Sequence, residues 1–251
     1  MDSTRHAGKR ALVSGAGSGI GRAVVLRMLA EGAHVTGFDK DEGGLAALYA
    51  DAGVGSDRLE VFPGDVRSDA DIAAMVEDRR TMDILINNAG VMDHFVPVTE
   101  LDDDLWDSVV GINLTGVMRL TRAVLPLMLD NGGGSVVTVA SKGSLSAGAA
   151  GAAYTASKHG VLGLAKHIAW FYGPRGIRSN AVCPGAVATS IGESAAPRSQ
   201  WAMERAAAAL AIMGDVAEPD QIASAISWLA SGEASDVNGA VLTVDGGWSV
   251  A

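Results

Sequence analysis

Short apolar runs at Ala11–Val13, His34–Phe38, Leu59–Phe62, Ile84–Ile86, Ser135–Val139, Ile177–Val182 and Val241–Val244 alternate with longer stretches of helical period. Those stretches lie at Ile20–Glu31, Glu42–Ala50, Ala70–Arg79, Asp103–Leu129, Tyr154–Tyr172 and Pro219–Ala230. Strand and helix in this alternation imply parallel strands joined by right-handed crossovers. The runs are apolar on both sides, as expected of strands in a sheet covered by helices on both faces. The expected class is α/β. No Pro/Ser-rich linker, charge run or repeat breaks the series, which predicts one domain over residues 1–251. One segment departs from the rhythm: Ala, Ser, Glu and Arg crowd together after Pro184, and a helical pattern resumes near Gln200. A long insertion in a compact domain usually covers a site, so a lid is expected around 186–213.

The 251 residues are 48% hydrophobic, ample for a sizeable core. A formal net charge of -10, with no segment concentrating Lys or Arg, repels phosphate backbones and anionic membranes. Nucleic acid is therefore not an expected partner. Met1–Arg10 is polar without a hydrophobic signal core, and no uninterrupted run approaches the roughly 20 apolar residues of a membrane span. A soluble cytoplasmic protein is the expectation. Cys183 is the single cysteine, which excludes an internal disulfide and a cysteine-rich metal site. Its place at the end of an apolar run reads as a small buried hydrophobe.

The stretch Ser14-Gly-Ala-Gly-Ser-Gly-Ile-Gly21 follows the first run and opens the first helix. Gly15, Gly19 and Gly21 allow a tight turn and close backbone approach, and with Ser18 and Ile20 at the helix start they offer free N–H groups to a pyrophosphate. The spacing is not G-x-G-x-x-G, and a turn serving packing alone would look similar. Asp39 ends the second run, where a carboxylate accepts hydrogen bonds from a ribose diol and repels a 2′-phosphate. NAD is favoured over NADP on that ground. Asp39 also suits a cap for the next helix, and Lys40 beside it is a cation that tolerates extra phosphate.

Tyr154-Thr-Ala-Ser-Lys158 sets a tyrosine four residues before a lysine, so the two side chains share one helix face. Alone this is an ordinary surface pair. A free phenol, with a pKa near 10, is a poor base, and lowering it by about 3 units takes roughly 4 kcal/mol of preferential phenolate stabilisation. A neighbouring cation supplies much of that.

The glycine loop, Asp65-Val66 after the third run, Asn87-Asn-Ala-Gly90 after the fourth, Asn113, Ser141, Tyr154-xxx-Lys158 and Pro184-Gly185 occur together in order. In this the chain resembles the short-chain dehydrogenase/reductase family over nearly its whole length. The resemblance implies a Rossmann-type doubly wound parallel sheet of about seven strands in the order 3-2-1-4-5-6-7, usually assembled as a homotetramer. It implies that Asp65 bonds the adenine amino group, that Val66 packs near its ring, and that Asn88, Ala89 and Gly90 lie beside the cofactor. Pro184, Gly185 and Val187 would line it, and Thr189 would bond the nicotinamide carboxamide or serve as a simple cap.

By the same resemblance Tyr154 is the general acid/base and Lys158 also binds the ribose hydroxyls. Ser141 holds the substrate oxygen, with Ser144 and Ser146 as competitors for that duty. Asn113 interrupts its helix and holds a water contacting Lys158. The implied reaction is hydride transfer between NAD(H) and a secondary alcohol or ketone, without a metal. An NADPH-dependent reductase of carrier-linked 3-oxoacyl chains is the alternative, and a non-catalytic nicotinamide-binding regulator would be expected to lose Tyr154 or Lys158. Met92, Asp93, His94, Ile191, Trp201 and Met203 are candidate pocket and lid residues. Lys142, in a place where a small polar residue is common, is expected to point to solvent. The short Glu77–Asp83 connection is expected to lie remote from the site.

Overall fold

The structure, a computed structural model, describes residues 4–53, 55, 57–191 and 196–250. Seven parallel strands form one sheet: β1 (Arg10–Ser14), β2 (His34–Asp39), β3 (Leu59–Pro63), β4 (Ile84–Asn87), β5 (Gly134–Val139), β6 (Ile177–Pro184) and β7 (Val241–Val244). Their order is β3-β2-β1-β4-β5-β6-β7. This is the Rossmann-type arrangement and strand order that the family resemblance implies, with the parallel strands that the alternation predicts.

Side chains of successive strand residues leave opposite faces, and each face has its own helical cover. Ala11 and Val13 of β1, Ile84 and Ile86 of β4, and Val137 of β5 pack with α1 (Gly19–Ala30), α2 (Glu42–Ala52) and α8 (Pro219–Ala230). Leu12, Leu85 and Val136, one residue out of phase, pack with α3 (Asp69–Val76), α5 (Val117–Asp130) and α6 (Ala152–Tyr172). A one-residue register slip would send each set to the wrong face. The pairing Leu12 to Thr36 and Leu12 to Leu85 is thereby fixed from both sides.

The stretch read as one helix over Asp103–Leu129 is α4 (Asp103–Val110), a π-helical turn at Gly111–Gly116 and α5. Such single-turn bulges occur often at functional sites. Contrary to the expectation from uninterrupted apolar runs, Asp103–Asp130 is by length and composition apolar enough to cross a membrane, and half of that stretch is buried within the fold. Helix α3 ends at Val76, short of the expected Arg79. In the lid region α7 spans Gln200–Leu210, while residues 192–195 of the expected lid lie outside the described residues.

At the amino edge of the sheet the chain entry is held by a buried polar cluster. His6 Nε2 lies 3.0 Å from Ser227 Oγ and 3.5 Å from Glu31 Oε2, and Arg5 and Arg27 also pair with the fully buried Glu31. Burial is the main cause that lowers the His6 pKa, with Glu31 opposing it. The unfolded chain then binds a proton near pH 6.5 that the folded chain resists, so stability is full above that value and falls as pH drops below it. Thermal melting is expected to fall with acidification below pH 6.5 in the parent protein and to fall less steeply in His6→Gln.

Candidate active site

The carboxyl ends of β1 and β4, where the strand order reverses, open into a cleft of about 460 Å³. Open α/β sheets bind ligands at this switch point. Its near wall is the glycine loop. Gly15 and Gly19 have φ of 67° and 50°, a left-handed backbone that a side chain strains. Ser18 caps α1 by position but makes no side-chain cap bond, so first-turn N–H groups of α1 stay open to an anion. Gly21 does not line the cleft; a Cβ there would stand 1.9 Å from Gly15 O, so this glycine keeps the loop folded onto α1.

Ser14 and Asn88 join the glycine loop to the end of β4. Ser14 Oγ accepts from the N–H groups of Asn88 (3.0 Å) and Ala89 (3.2 Å), and Asn88 Nδ2 donates to Ser14 O and Gly15 O, each at 3.1 Å. The Ser14 hydroxyl also donates to Ile86 O and is thus fully engaged. Gly90 follows, leaving the space into which Lys158 reaches.

At the outer end, Asp39 Oδ2 accepts from Gly17 N (2.8 Å) and Oδ1 from Asp41 N (3.0 Å). Asp41, not Asp39, is the cap residue of α2. Lys40, Asp65 and Val66 also line this end. The Asp65 carboxylate is already gripped by Arg67, with Nη2 to Oδ2 at 2.7 Å, and that guanidinium holds its pKa below the usual carboxylate value. Its acceptor capacity toward an adenine is correspondingly shared. Phe38, Gly64, Val91, Ile112, Val139 and Ala140 line the cleft without having been legible as site residues. They are generic strand-end and apolar positions, and only the topology assembles them.

At the inner end Tyr154 and Lys158, 6% and 4% exposed, project from α6. Lys158 Nζ lies 5.7 Å from the phenol ring centroid and donates to Val139 O at 2.8 Å. The Ser141 hydroxyl stands near enough to the phenol to lower its pKa and accepts from Gly143 N at 3.0 Å. Of its competitors, Ser144 Oγ accepts from Ser141 N and Ser146 Oγ accepts from Lys142 Nζ, so Ser141 is the serine turned to Tyr154. Burial pushes the Tyr154 phenol up to about 12, with Ser141 opposing and Asp93 and Cys183 adding to the rise. Burial likewise brings Lys158 down to about 8. The expected cationic help is offset because both groups lose water.

Asn113 sits in the π-helical turn, wholly buried and behind the cleft wall. Its Oδ1 accepts from Val91 N at 2.9 Å, and its Nδ2 donates to Val91 O at 2.9 Å and Ser157 Oγ at 3.2 Å. Asn113 Oδ1 and Lys158 Nζ each lie 3.4 Å from where a Cβ on Gly90 would sit, so both flank the same small space.

Pro184, Gly185, Val187 and Thr189 line the opposite wall. Thr189 turns Cγ2 toward Gly19, and its hydroxyl makes one long contact, 3.5 Å, to Val187 O. Lys142 does not point freely to solvent: Nζ donates to Ser146 Oγ at 2.7 Å and lies 5.6 Å from the Trp248 ring centroid. Cys183 is fully buried beneath Ser141. Asp93 and His94, read as pocket candidates, lie instead in a loop that ties α6 to the lid region. No group of three or more metal-ligating side chains occurs among the described residues.

The glycine cradle, the open α1 amides, Asp39 at one end and the Tyr154–Lys158 pair at the other fit a nicotinamide dinucleotide laid along the cleft. Comparison with known proteins agrees. Residues 15–249 match a family model described as enoyl-(acyl carrier protein) reductase. The chain is 40% identical to 3beta-hydroxysteroid dehydrogenase 2 of Eggerthella lenta, over 99% of both chains. It is 38% identical to D-threitol dehydrogenase of Mycolicibacterium smegmatis, over 97% of this chain and 94% of that protein. The solved structure of levodione reductase superposes with a TM-score of 0.89 at 33% identity, covering 98% of this chain and 100% of that one.

Gly21→Ala is expected to cost at least about tenfold in dinucleotide affinity, because the added carbon must displace the Gly15 peptide and with it the cradle. Fluorescence titration of the reduced cofactor measures it; unchanged affinity would contradict the packing role of this glycine.

Proposed function

The chain belongs to the short-chain dehydrogenase/reductase family, and on that premise we propose that it is an NAD-dependent enzyme interconverting a secondary alcohol and its ketone, with an apolar, ring-bearing alcohol of the steroid kind as the preferred substrate class. Family membership makes it an oxidoreductase with a nicotinamide cofactor and a small-molecule substrate. The observation that carries the finer reading is the convergence of Tyr154, Lys158 and Ser141 at the inner end of a cleft whose outer end is closed by Asp39.

When bound, the nicotinamide supplies the hydride acceptor or donor. Ser141 orients the substrate oxygen against Tyr154. In ketone reduction the phenol gives its proton to that oxygen; burial keeps the phenol protonated beforehand but also makes it the weaker acid. In alcohol oxidation Tyr154 must first lose its proton, and Lys158 as the ammonium stabilises the phenolate. Asn113, by holding the loop at Val91 and facing the space beside Gly90, places Lys158 and the water through which its proton exchanges. Asp39 accepts the ribose hydroxyls and disfavours the 2′-phosphate.

Residues 1–251 then act as one catalytic domain with 186–213 as its lid. The apolar substrate body is supported by Leu145, Trp201 and Met213, exposed apolar side chains on the 3₁₀ turn after β5 and on the lid side. It is also supported by the steroid named for the Eggerthella lenta relative. A carrier-linked acyl substrate is the second reading, favoured only by the description of the matching family model. A homotetramer is proposed as well: Trp170 and Phe171 at the end of α6 are 79% and 62% exposed in the single chain.

Tyr154→Phe is expected to lower turnover of hydroxysteroids with NAD about 10³-fold while dinucleotide affinity stays within about twofold. Near-parental turnover would remove Tyr154 from the mechanism. NADP is expected to give kcat/KM at least about tenfold below NAD, and Asp39→Ala to narrow that gap. Equal use of both cofactors by the parent protein would refute the role given to Asp39.

A further inference from the structure

Helix α6 carries Tyr154 in its first turn, yet its cap residue, Gly151, has no side chain with which to cap it. The first N–H groups of a helix need acceptors. Here they come from another part of the chain. Asp93 Oδ1 accepts from Gly151 N at 2.9 Å and Oδ2 accepts from Tyr154 N at 2.8 Å. Asp93 is fully buried, and among the described residues no Lys, Arg or His forms an ion pair with it. Its charge is met by the two amides and the positive end of α6.

The surroundings are shaped to this contact. A Cβ on Gly151 would lie 2.6 and 2.7 Å from the Asp93 carboxylate oxygens and 2.5 Å from Val96 N, so the two residues are a matched pair. Val96 N donates to Asp93 O, and Ala152 N donates to Val96 O, wrapping the loop around the same helical turn. Between them His94 and Phe95 hold φ of 55° and 54°, a left-handed backbone that is strained for residues with a side chain. Strain of this kind persists only where surrounding contacts over-determine it, and it concentrates at functional sites.

We propose that Asp93 is a positioning residue for Tyr154: its buried carboxylate caps the first turn of α6 from outside the helix and thereby fixes where the phenol stands against Ser141. The inference rests on the reading of Tyr154 as the acid/base group. The same carboxylate adds to the rise of the phenol pKa. The titratable or charged groups that face the phenol are Lys158 from α6, Cys183 from β6 and Asp93 from the loop after β4, with the Ser141 hydroxyl near it. Asp93 thus does two separable things, holding the helix start and opposing the phenolate.

Two variants separate them. Asp93→Asn removes the charge and one of the two acceptors; Asp93→Glu keeps the charge and displaces the cap. Both are expected to lower kcat at least about tenfold with dinucleotide affinity within about twofold, the signature of a misplaced reacting group, and to speed hydrogen exchange at the Tyr154 amide at least about tenfold. In a Tyr49→Phe/Tyr172→Phe background Tyr154 is the sole tyrosine. There the onset of phenolate absorbance, followed while circular dichroism shows the fold intact, is expected at lower pH in Asp93→Asn and unchanged in Asp93→Glu. An unmoved onset in folded Asp93→Asn, or parental amide exchange or kcat in either folded variant, overturns the proposal. If Asp93→Asn does not fold, Asp93→Glu decides by exchange and kcat. If the parent protein oxidises none of the alcohols offered, the functional reading fails while exchange and titration still judge Asp93.

Discussion

The Ser14 hydroxyl is the joint between the two halves of the cleft. It stands at the end of β1, accepts two amides from the turn after β4, and is backed by Asn88 reaching the other way to Ser14 O and Gly15 O. These bonds are buried or half-buried, where each is worth about 1 kcal/mol when made and costs more when one partner is missing. The glycine loop and the Asn87–Gly90 turn therefore move as one body. Everything that faces the cleft, from Asp39 at its outer end to Lys158 beside Gly90, is set relative to that body.

From this joint the electrostatics of the inner end follow. Tyr154 and Lys158 are brought so deep behind the turn that both lose hydration, and burial alone drives the phenol up and the ammonium down. With the phenol near 12 and the lysine near 8, Tyr154 stays protonated at neutral pH while Lys158 remains mostly the ammonium. On the proposed reading of Tyr154, positive charge entering the cleft would favour loss of its proton and so tie proton transfer to occupancy of the site.

Much of this was legible in the sequence. Strand-helix alternation predicted a parallel sheet covered on both faces because each strand carries apolar residues of both phases, Leu12 against Val13 and Leu85 against Ile86; the strand order came from the family resemblance. The glycine loop and the Tyr154–Lys158 spacing were readable because local backbone geometry and helix period act over a few residues. What could not be read depends on contacts between distant segments. Asp93 read as a pocket or lid candidate, and only the fold brings it to Gly151 and Tyr154 as a cap for α6. The Arg67 grip on Asp65 and the seat of Lys142 against Ser146 and Trp248 are of the same kind. The i, i+4 argument counts the cation beside the phenol, whereas burial of both partners acts in the opposite direction, raising the phenol and lowering the ammonium.

The most direct measurement of the central claim follows a label. A hydroxysteroid carrying deuterium at its carbinol carbon is incubated with the protein and NAD, and the reduced cofactor is examined by mass spectrometry. Direct hydride transfer predicts that the deuterium appears in the nicotinamide ring and that the labelled alcohol reacts more slowly than the unlabelled one. Turnover in which the deuterium is lost to water would contradict a mechanism in which Tyr154 handles only the hydroxyl proton and the carbinol hydrogen passes straight to the cofactor.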